Sequence, residues 1–164
     1  MKIEDYIKSL PSDIISGNDV QLSERSLTKI FEFLNLNEND SFYHLGCGDG
    51  KGIKIALQEF HVKKAVGIDN NIKKIQEAKK LVEENDLKYG KFLCEDVVTT
   101  KIDDATAILF WFTDMEIIEK MKKKFQNLQD GSRIITIWGP LPECLPLSLI
   151  HISEPTGPRL MSYA

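Results

Sequence analysis

The 164-residue sequence predicts an α/β fold, a doubly wound and mostly parallel sheet with helices on both faces. Three observations predict it. Apolar runs rich in β-branched or aromatic residues alternate with segments of helical period. The run over residues 105–112 is almost wholly apolar, as a central strand covered on both faces must be. Glycines crowd between the first run and the helix after it, where an open α/β sheet places its ligand loop. With 42% hydrophobic residues the chain can bury one substantial core, and its length excludes two independent catalytic domains.

The elements follow in order. A helix is expected over about residues 24–34, because Leu27, Ile30, Phe31 and Leu34 share one face and Ser23 stands where an N-cap belongs. Strand one is then 41–45. A loop from Gly46 to Gly50 opens a helix running to about residue 60, and strand two, 64–68, completes a βαβ unit by Asp69. Ile72, Ile75, Ala78, Leu81 and Val82 recur at three-to-four spacing among lysines and glutamates, an amphipathic helix that crosses back to strand three at 91–94. After strand four at 105–112, Thr113-Asp114-Met115-Glu116 reads as a capping box, and Ile117, Ile118, Met121, Phe125 and Leu128 then face the sheet. Asp130-Gly131 turns into strand five, 133–138. Beyond Trp138, Gly139, Pro140, Pro142, Pro146, Pro155 and Pro158 stand too densely for further regular elements.

Charged residues make up 28% of the chain and the net charge is −4, so the basic excess that grips phosphates is missing and nucleic acid is a disfavoured partner. Cys47, Cys94 and Cys144 are widely spaced with no pair at metal-ligand spacing, which predicts no metal site and free thiols in a reducing, cytoplasmic compartment. The N-terminus carries acids where a signal peptide needs an unbroken apolar stretch, and no window approaches about 18 apolar residues. Neither export nor membrane insertion is expected.

Three successive strand ends carry the chemistry. After strand one the sequence reads His44-Leu45-Gly46-Cys47-Gly48-Asp49-Gly50, in which glycines let the backbone approach a ligand and turn sharply into a helix. A dinucleotide fingerprint needs a third glycine at the place where Lys51 stands. Asp69 ends strand two, where a carboxylate can accept from both hydroxyls of a ribose, and Asp96, just past strand three, can accept from an adenine amino group. Each has a plainer reading. The glycines can be a tight turn, Asp69 a helix cap ahead of Asn70 and Asn71, and Asp96 a loop acid.

Over roughly residues 23–142 this set resembles the class I S-adenosylmethionine-dependent methyltransferases. The run Phe42-Tyr43-His44-Leu45-Gly46-Cys47-Gly48-Asp49-Gly50-Lys51, with Val62-Lys63-Lys64-Ala65-Val66-Gly67-Ile68-Asp69, looks most like the small archaeal-type protein-lysine methyltransferases. The resemblance implies a Rossmann-like fold and S-adenosyl-L-methionine as cofactor. It implies that Gly46, Gly48, Asp49 and Gly50 line the methionine moiety, that Asp69 binds the ribose, and that Asp96 with Val97 meets adenine. His44, Leu45, Cys47 and Asn70 complete the expected cofactor-binding set. Residues 1–22 become an arm that helps cover the cofactor, and 23–146 the methyltransferase domain. His44 departs from the family, which usually has an acid there that helps hold the cofactor's amino group; an imidazole can work through water.

Methyltransferases acting on adenine or glutamine amide nitrogens resemble one another in an Asn/Asp-Pro-Pro-aromatic motif after strand four, and cytosine-carbon enzymes in a Pro-Cys. Phe110-Trp111-Phe112-Thr113 departs from both. Phe110, Trp111 and Phe112 are either core of strand four or the wall of a substrate channel, whose ring faces favour an aliphatic amine. Displacement at a sulfonium needs positioning more than a dedicated base, so no catalytic residue is assigned. The expected function is methyl transfer to a lysine side-chain nitrogen of a protein. The alternatives are a small-molecule or RNA methyltransferase, and an NAD-type nucleotide-binding domain, which Lys51 argues against.

Residues 147–164 resemble one translated reading frame of a common transposase sequencing adapter, from Leu147-Ser148-Leu149-Ile150-His151-Ile152 to Ser162-Tyr163-Ala164. The natural protein is therefore expected to depart from this chain near Leu145 or Pro146, and the resemblance implies two further strands in an antiparallel hairpin beside strand five. Without them strand five becomes an exposed apolar edge, which the β-prone run 147–152 is placed to cover by accident.

Overall fold

Alternation along the first strand decides the architecture. Phe42 and Tyr43 are neighbours, both buried, and successive strand side chains point to opposite faces. Phe42 joins a core with Leu27, Phe31, Leu34, Ile53, Ala56 and Ala78, whereas Tyr43 joins one with Ile118, Met121, Phe125 and Leu128. A sheet with two apolar faces must be covered on both.

The computed structural model describes residues 22–110, 112 and 114–137, and the backbone of 159–163. Its helices are α1 (Glu24–Phe33), α2 (Lys51–Gln58), α3 (Ile72–Glu84) and α4 (Met115–Phe125). The strands are β1 (Ser41–Leu45), β2 (Lys64–Asp69), β3 (Gly90–Cys94), β4 (Ala107–Phe110), β5 (Arg133–Ile137) and β6 (Arg159–Tyr163). They form one sheet in the order β3-β2-β1-β4-β5-β6, and every pairing is parallel. The core contacts put α1, α2 and α3 on one face and α4 on the other. Strand order reverses between β1 and β4, which opens a crevice beyond their C-terminal ends. Register sets Leu45 beside both Ile68 and Phe110, and Asp69 beside Cys94, so these ends share one rim.

Caps fix the helix starts. Ser23 Oγ accepts from Ser26 N at 3.2 Å, and Asn71 accepts from Lys73 N and Lys74 N. The expected capping box shifts by one residue. Asp114, not Thr113, is the N-cap of α4, accepting from Glu116 N at 2.8 Å and Ile117 N at 3.2 Å, because a carboxylate meets the positive end of the helix better than a hydroxyl. Thr113 lies outside the described residues.

Strand four is shorter than the apolar run suggests. Ala105 N turns back to Ile102 O, and the Thr106 hydroxyl is committed to Ser41 N, so regular pairing starts at Ala107. The largest correction concerns the end of the chain. Where the prolines predict no further regular element, Arg159–Tyr163 pairs with β5 as a parallel sixth strand. That segment follows the last proline, so each of its residues keeps the N–H a ladder needs. The arm up to residue 21 and the stretch 138–158, with Trp138 and the run 147–152, lie outside the described residues.

At the N-terminal ends of the strands, side chains knot the elements together. Buried Asp40 accepts from Thr106 Oγ1 at 2.7 Å and from Asn37 N at 2.9 Å, and it pairs with Arg133, whose other arm donates to Asn35 O at 2.8 Å. On the other face Tyr43 and Lys64 both bond Asp104, each at 2.6 Å.

Candidate cofactor and acceptor site

The opposite rim is built from backbone. Gly46, Gly48 and Gly50 take φ of 82°, 54° and 84°, the left-handed region that a side chain disfavours. At Gly50, the N-cap of α2, a Cβ would also stand 2.7 Å from Ala78 Cβ, so glycine is required there on two grounds. Gly46 N and Cys47 N both donate to Ile68 O, at 2.8 and 3.0 Å, which folds the loop over the end of β2. Asp49 accepts from Lys51 N at 3.3 Å and pairs with Lys51 Nζ at 3.0 Å.

Asp69 closes this loop. Its Oδ2 accepts from Gly48 N and its Oδ1 from Asn71 N, both at 2.9 Å. The cap of α3 is Asn71, so the plainer reading of Asp69 as a helix cap does not hold. A carboxylate offers about four acceptor positions, and two N–H groups leave capacity for a ligand's hydroxyls. Asn70 is exposed beside it, its carbonyl 3.8 Å from Cys94 Sγ. Asp96 is exposed in the turn after β3 and accepts from Val98 N at 2.8 Å. Val97 points into the core with Leu45, Ile68 and Phe110, so only its backbone faces that turn.

His44 and Cys47 turn inward. The His44 ring lies 6.3 Å from that of Phe42, and its Nδ1 is buried with no hydrogen-bond partner among the described residues. Gly52 makes room for it, since a Cβ there would fall 2.5 Å from Nδ1. Burial pushes the imidazole pKa down to about 4 against the pull of Asp49, so the ring is neutral. An orphaned buried nitrogen is what a ligand or an ordered group completes. Burial, helped by Asp69, pushes the Cys47 thiol far up, which leaves it an inert part of the core.

The aromatic run divides. Phe110 is core, 4% exposed, packed at 4.9 Å on Phe112 and edge-on to Phe125 at 5.3 Å. Half-buried Phe112 reaches the crevice, its ring 3.4 Å from where a Cβ on Gly46 would stand. Trp111 lies outside the described residues. Two residues with no sequence signal also belong here: Gly52, which accommodates His44, and Lys124, which holds the turn of Asp96 from α4. Among the described residues no cluster of His, Cys, Asp and Glu could hold a metal ion, and no helix is long and apolar enough to cross a membrane.

The chain is similar to known methyltransferases in sequence and in fold. The profile of the family described as Histone methylation protein DOT1 matches residues 19–142. A protein-lysine N-methyltransferase of Saccharolobus islandicus is 31% identical over 120 residues, covering 71% of this chain and 73% of the relative. An RNA methyltransferase from Salinibacter ruber, solved with S-adenosyl-L-homocysteine, superposes with a TM-score of 0.66 at 20% identity, over 79% of this chain and 99% of that one. A geranyl diphosphate methyltransferase solved with its methyl donor gives 0.61 at 16% identity, over 70% and 48%. The two solved neighbours act on unlike acceptors, so their likeness speaks for the fold alone.

Proposed function

The chain belongs to the histone methylation protein DOT1 family and is an S-adenosylmethionine-dependent methyltransferase, and on that premise we propose that its acceptor is a lysine side-chain nitrogen of a protein. The observation that carries the proposal is the placement of Phe112 against Gly46. It sets an aromatic wall beside the loop that approaches the cofactor, with neither the Asn/Asp-Pro-Pro-aromatic motif of adenine and glutamine-amide enzymes nor the Pro-Cys of cytosine-carbon enzymes. The protein-lysine relative points the same way.

The residues fit the cofactor. Three left-handed glycines leave the backbone open to a ligand, Asp69 keeps acceptor capacity for two hydroxyls, and His44, two residues before the loop, is a neutral imidazole whose buried Nδ1 has no partner among the described residues. In this reading Gly46 to Gly50 hold the methionine moiety, Asp69 with Asn70 the ribose, and Asp96 with the Val97 backbone the adenine. Residues 1–22 act as a cover and 23–146 as the catalytic domain. Bound S-adenosylmethionine supplies an electrophilic methyl on a sulfonium. The protein's work is positioning: the loop fixes the donor, and the Phe112 ring desolvates the incoming amine and lines it up. A lysine of ordinary pKa, about 10.4, must lose its proton before it attacks, and desolvation beside an aromatic wall lowers that pKa.

The test is methyl transfer from isotopically labelled S-adenosylmethionine to a lysine-rich protein. Label should enter lysine, and the rate should rise from about pH 7 to 9 as the neutral amine fraction grows. A rate flat in pH, together with labelling that survives conversion of every substrate lysine to arginine, would remove the lysine reading. Tight NAD binding without S-adenosylhomocysteine binding would remove the methyltransferase reading itself.

A further inference from the structure

The turn that presents Asp96 is held by the helix that covers the same face of the sheet, since Val97 packs with Ile118, Met121 and Phe125. Asp96 O accepts from Thr99 N at 3.1 Å, Thr100 N at 3.0 Å and Thr100 Oγ1 at 2.7 Å, while Asp96 Oδ1 takes Val98 N. The segment is thus wound into a single tight turn, and a wound turn leaves carbonyls at its C-terminal end without amide partners. Lys124, in the last turn of α4, reaches them. Its Nζ donates to Val98 O at 2.9 Å, to Val97 O at 3.3 Å and to Thr100 O. An ammonium carries three N–H donors, and three carbonyls converge on it, so donors and acceptors match in number. Thr100 is 3% exposed and Lys124 itself is half-buried, which puts these bonds away from competing water. Burial lowers the Lys124 pKa, while Asp103 and Asp96 pull it back up.

We propose that Lys124 is the positioning residue for the adenine end of the cofactor: it holds closed the turn that carries Asp96 and the Val97 backbone, without touching the cofactor. The inference rests on the reading of Asp96 and Val97 as the adenine contact. It adds a specific dependence, that of adenine affinity on a side chain of the helix that follows β4. Removing the ammonium leaves three carbonyls seeking a donor, and the turn opens towards solvent to find one. The proposed ribose and methionine contacts, Asp69 at the end of β2 and the glycine loop after β1, make no bond to Lys124.

The experiment compares Lys124→Met and Lys124→Arg with the parent in the full chain, by calorimetric titration with S-adenosylhomocysteine and with 5′-methylthioadenosine, which lacks the amino-acid end. Lys124→Met should weaken both ligands by the same factor, about tenfold, raise KM for the methyl donor and leave kcat at saturation near the parent value. Lys124→Arg keeps a cation and several donors and should recover most of the affinity. A folded Lys124→Met that binds 5′-methylthioadenosine within about threefold of the parent overturns the assignment. If that variant does not fold, hydrogen exchange on the parent decides. Saturating 5′-methylthioadenosine should slow exchange at Val98, Thr99 and Thr100 and shift the Lys124 ammonium resonance; unchanged signals overturn the proposal. A parent that binds neither ligand overturns the cofactor reading and the Lys124 assignment together, whereas a parent that binds both while Lys124→Met binds equally well overturns the Lys124 assignment alone.

Discussion

The two ends of the same strands are built on opposite principles. At the N-terminal end, the Asp40 carboxylate ahead of β1 accepts from Asn37 N in the turn after α1 and from Thr106 Oγ1 just before β4, and it pairs with Arg133 of β5. At the C-terminal end the bonds are mostly backbone, three glycines carry positive φ, His44 Nδ1 has no partner among the described residues, and acids stand exposed in the turns. A satisfied and buried network resists change, whereas a rim with spare acceptors can take a ligand. Stability at the foot and binding at the head should therefore be separable by mutation.

The largest expected effect is at the head. Asp69→Ala removes the acceptor for two ribose hydroxyls and for Gly48 N, and charged hydrogen bonds are worth about 1.5 to 3 kcal/mol each, so S-adenosylhomocysteine binding should weaken by at least about a hundredfold. The unfolding midpoint should move far less. Calorimetry showing affinity within about threefold of the parent would mean that Asp69 only braces the loop.

Arg133→Met is the matching change at the foot. It leaves the Asp40 carboxylate, 4% exposed, without its cation, and breaking one side of a buried pair costs about 3 to 5 kcal/mol of stability. Denaturant unfolding should show that loss, while the folded fraction binds S-adenosylhomocysteine as the parent does. Weakened binding in fully folded protein would show that the two ends are coupled.

Particular residues show why one end was easier to read than the other. The head was legible because its groups sit within a few residues of a strand end: the glycine loop, Asp69 and Asp96 are local patterns, and parallel-sheet topology alone gathers strand ends on one rim. The foot was not, since Asp40 and Arg133 meet only after β1 and β5 have been placed in one sheet, and neither looks special in its own stretch. Lys124 was hidden for the same reason, as one of several lysines in a charged helix. His44 was visible as a departure from its family. Its burial was not, because that depends on Gly52 in the next helix. The apolar run of strand four could not say where pairing starts, and Thr106 decided that with a hydroxyl. The sixth strand was missed because proline density was carried past the last proline.

Acid should separate the ends in order. His44 has a pKa lowered from 6.5 to about 4, so the folded state prefers the neutral ring. Its contribution is complete above the unfolded value, is lost as the pH falls from about 6.5 towards 4, and is constant below that, for a total of up to about 3 kcal/mol. His44→Leu should flatten unfolding free energy across that window. An unchanged slope would mean that the ring finds a partner or water that lets it ionise in place.

The smallest effect belongs to the second ion pair of the foot, and it tests whether burial rather than position makes Arg133 matter. Burial acts to raise the Asp104 carboxyl, but hydrogen bonds from Lys64 and Tyr43 outweigh it and hold it below its ordinary value. A depressed carboxyl pKa stabilises the fold above the unfolded value, about 3.9, and that contribution disappears as the pH falls through the folded one. Lys64 is raised, first by its bond to Asp104, so its share is present below about 10.4 and is lost in strong base. Yet the side chains of Lys64 and Asp104 are 38% and 58% exposed, against 17% and 5% for Arg133 and Asp40. Water and salt screen the exposed pair, so Asp104→Asn should cost under about 1 kcal/mol at pH 7, less at high salt and nothing once the carboxyl is protonated. The amide oxygen can still accept from Tyr43, which limits the loss further. Measured by denaturant unfolding at low and high salt, a cost as large as that of Arg133→Met would show that the foot acts as one cooperative network, with solvent exposure deciding little.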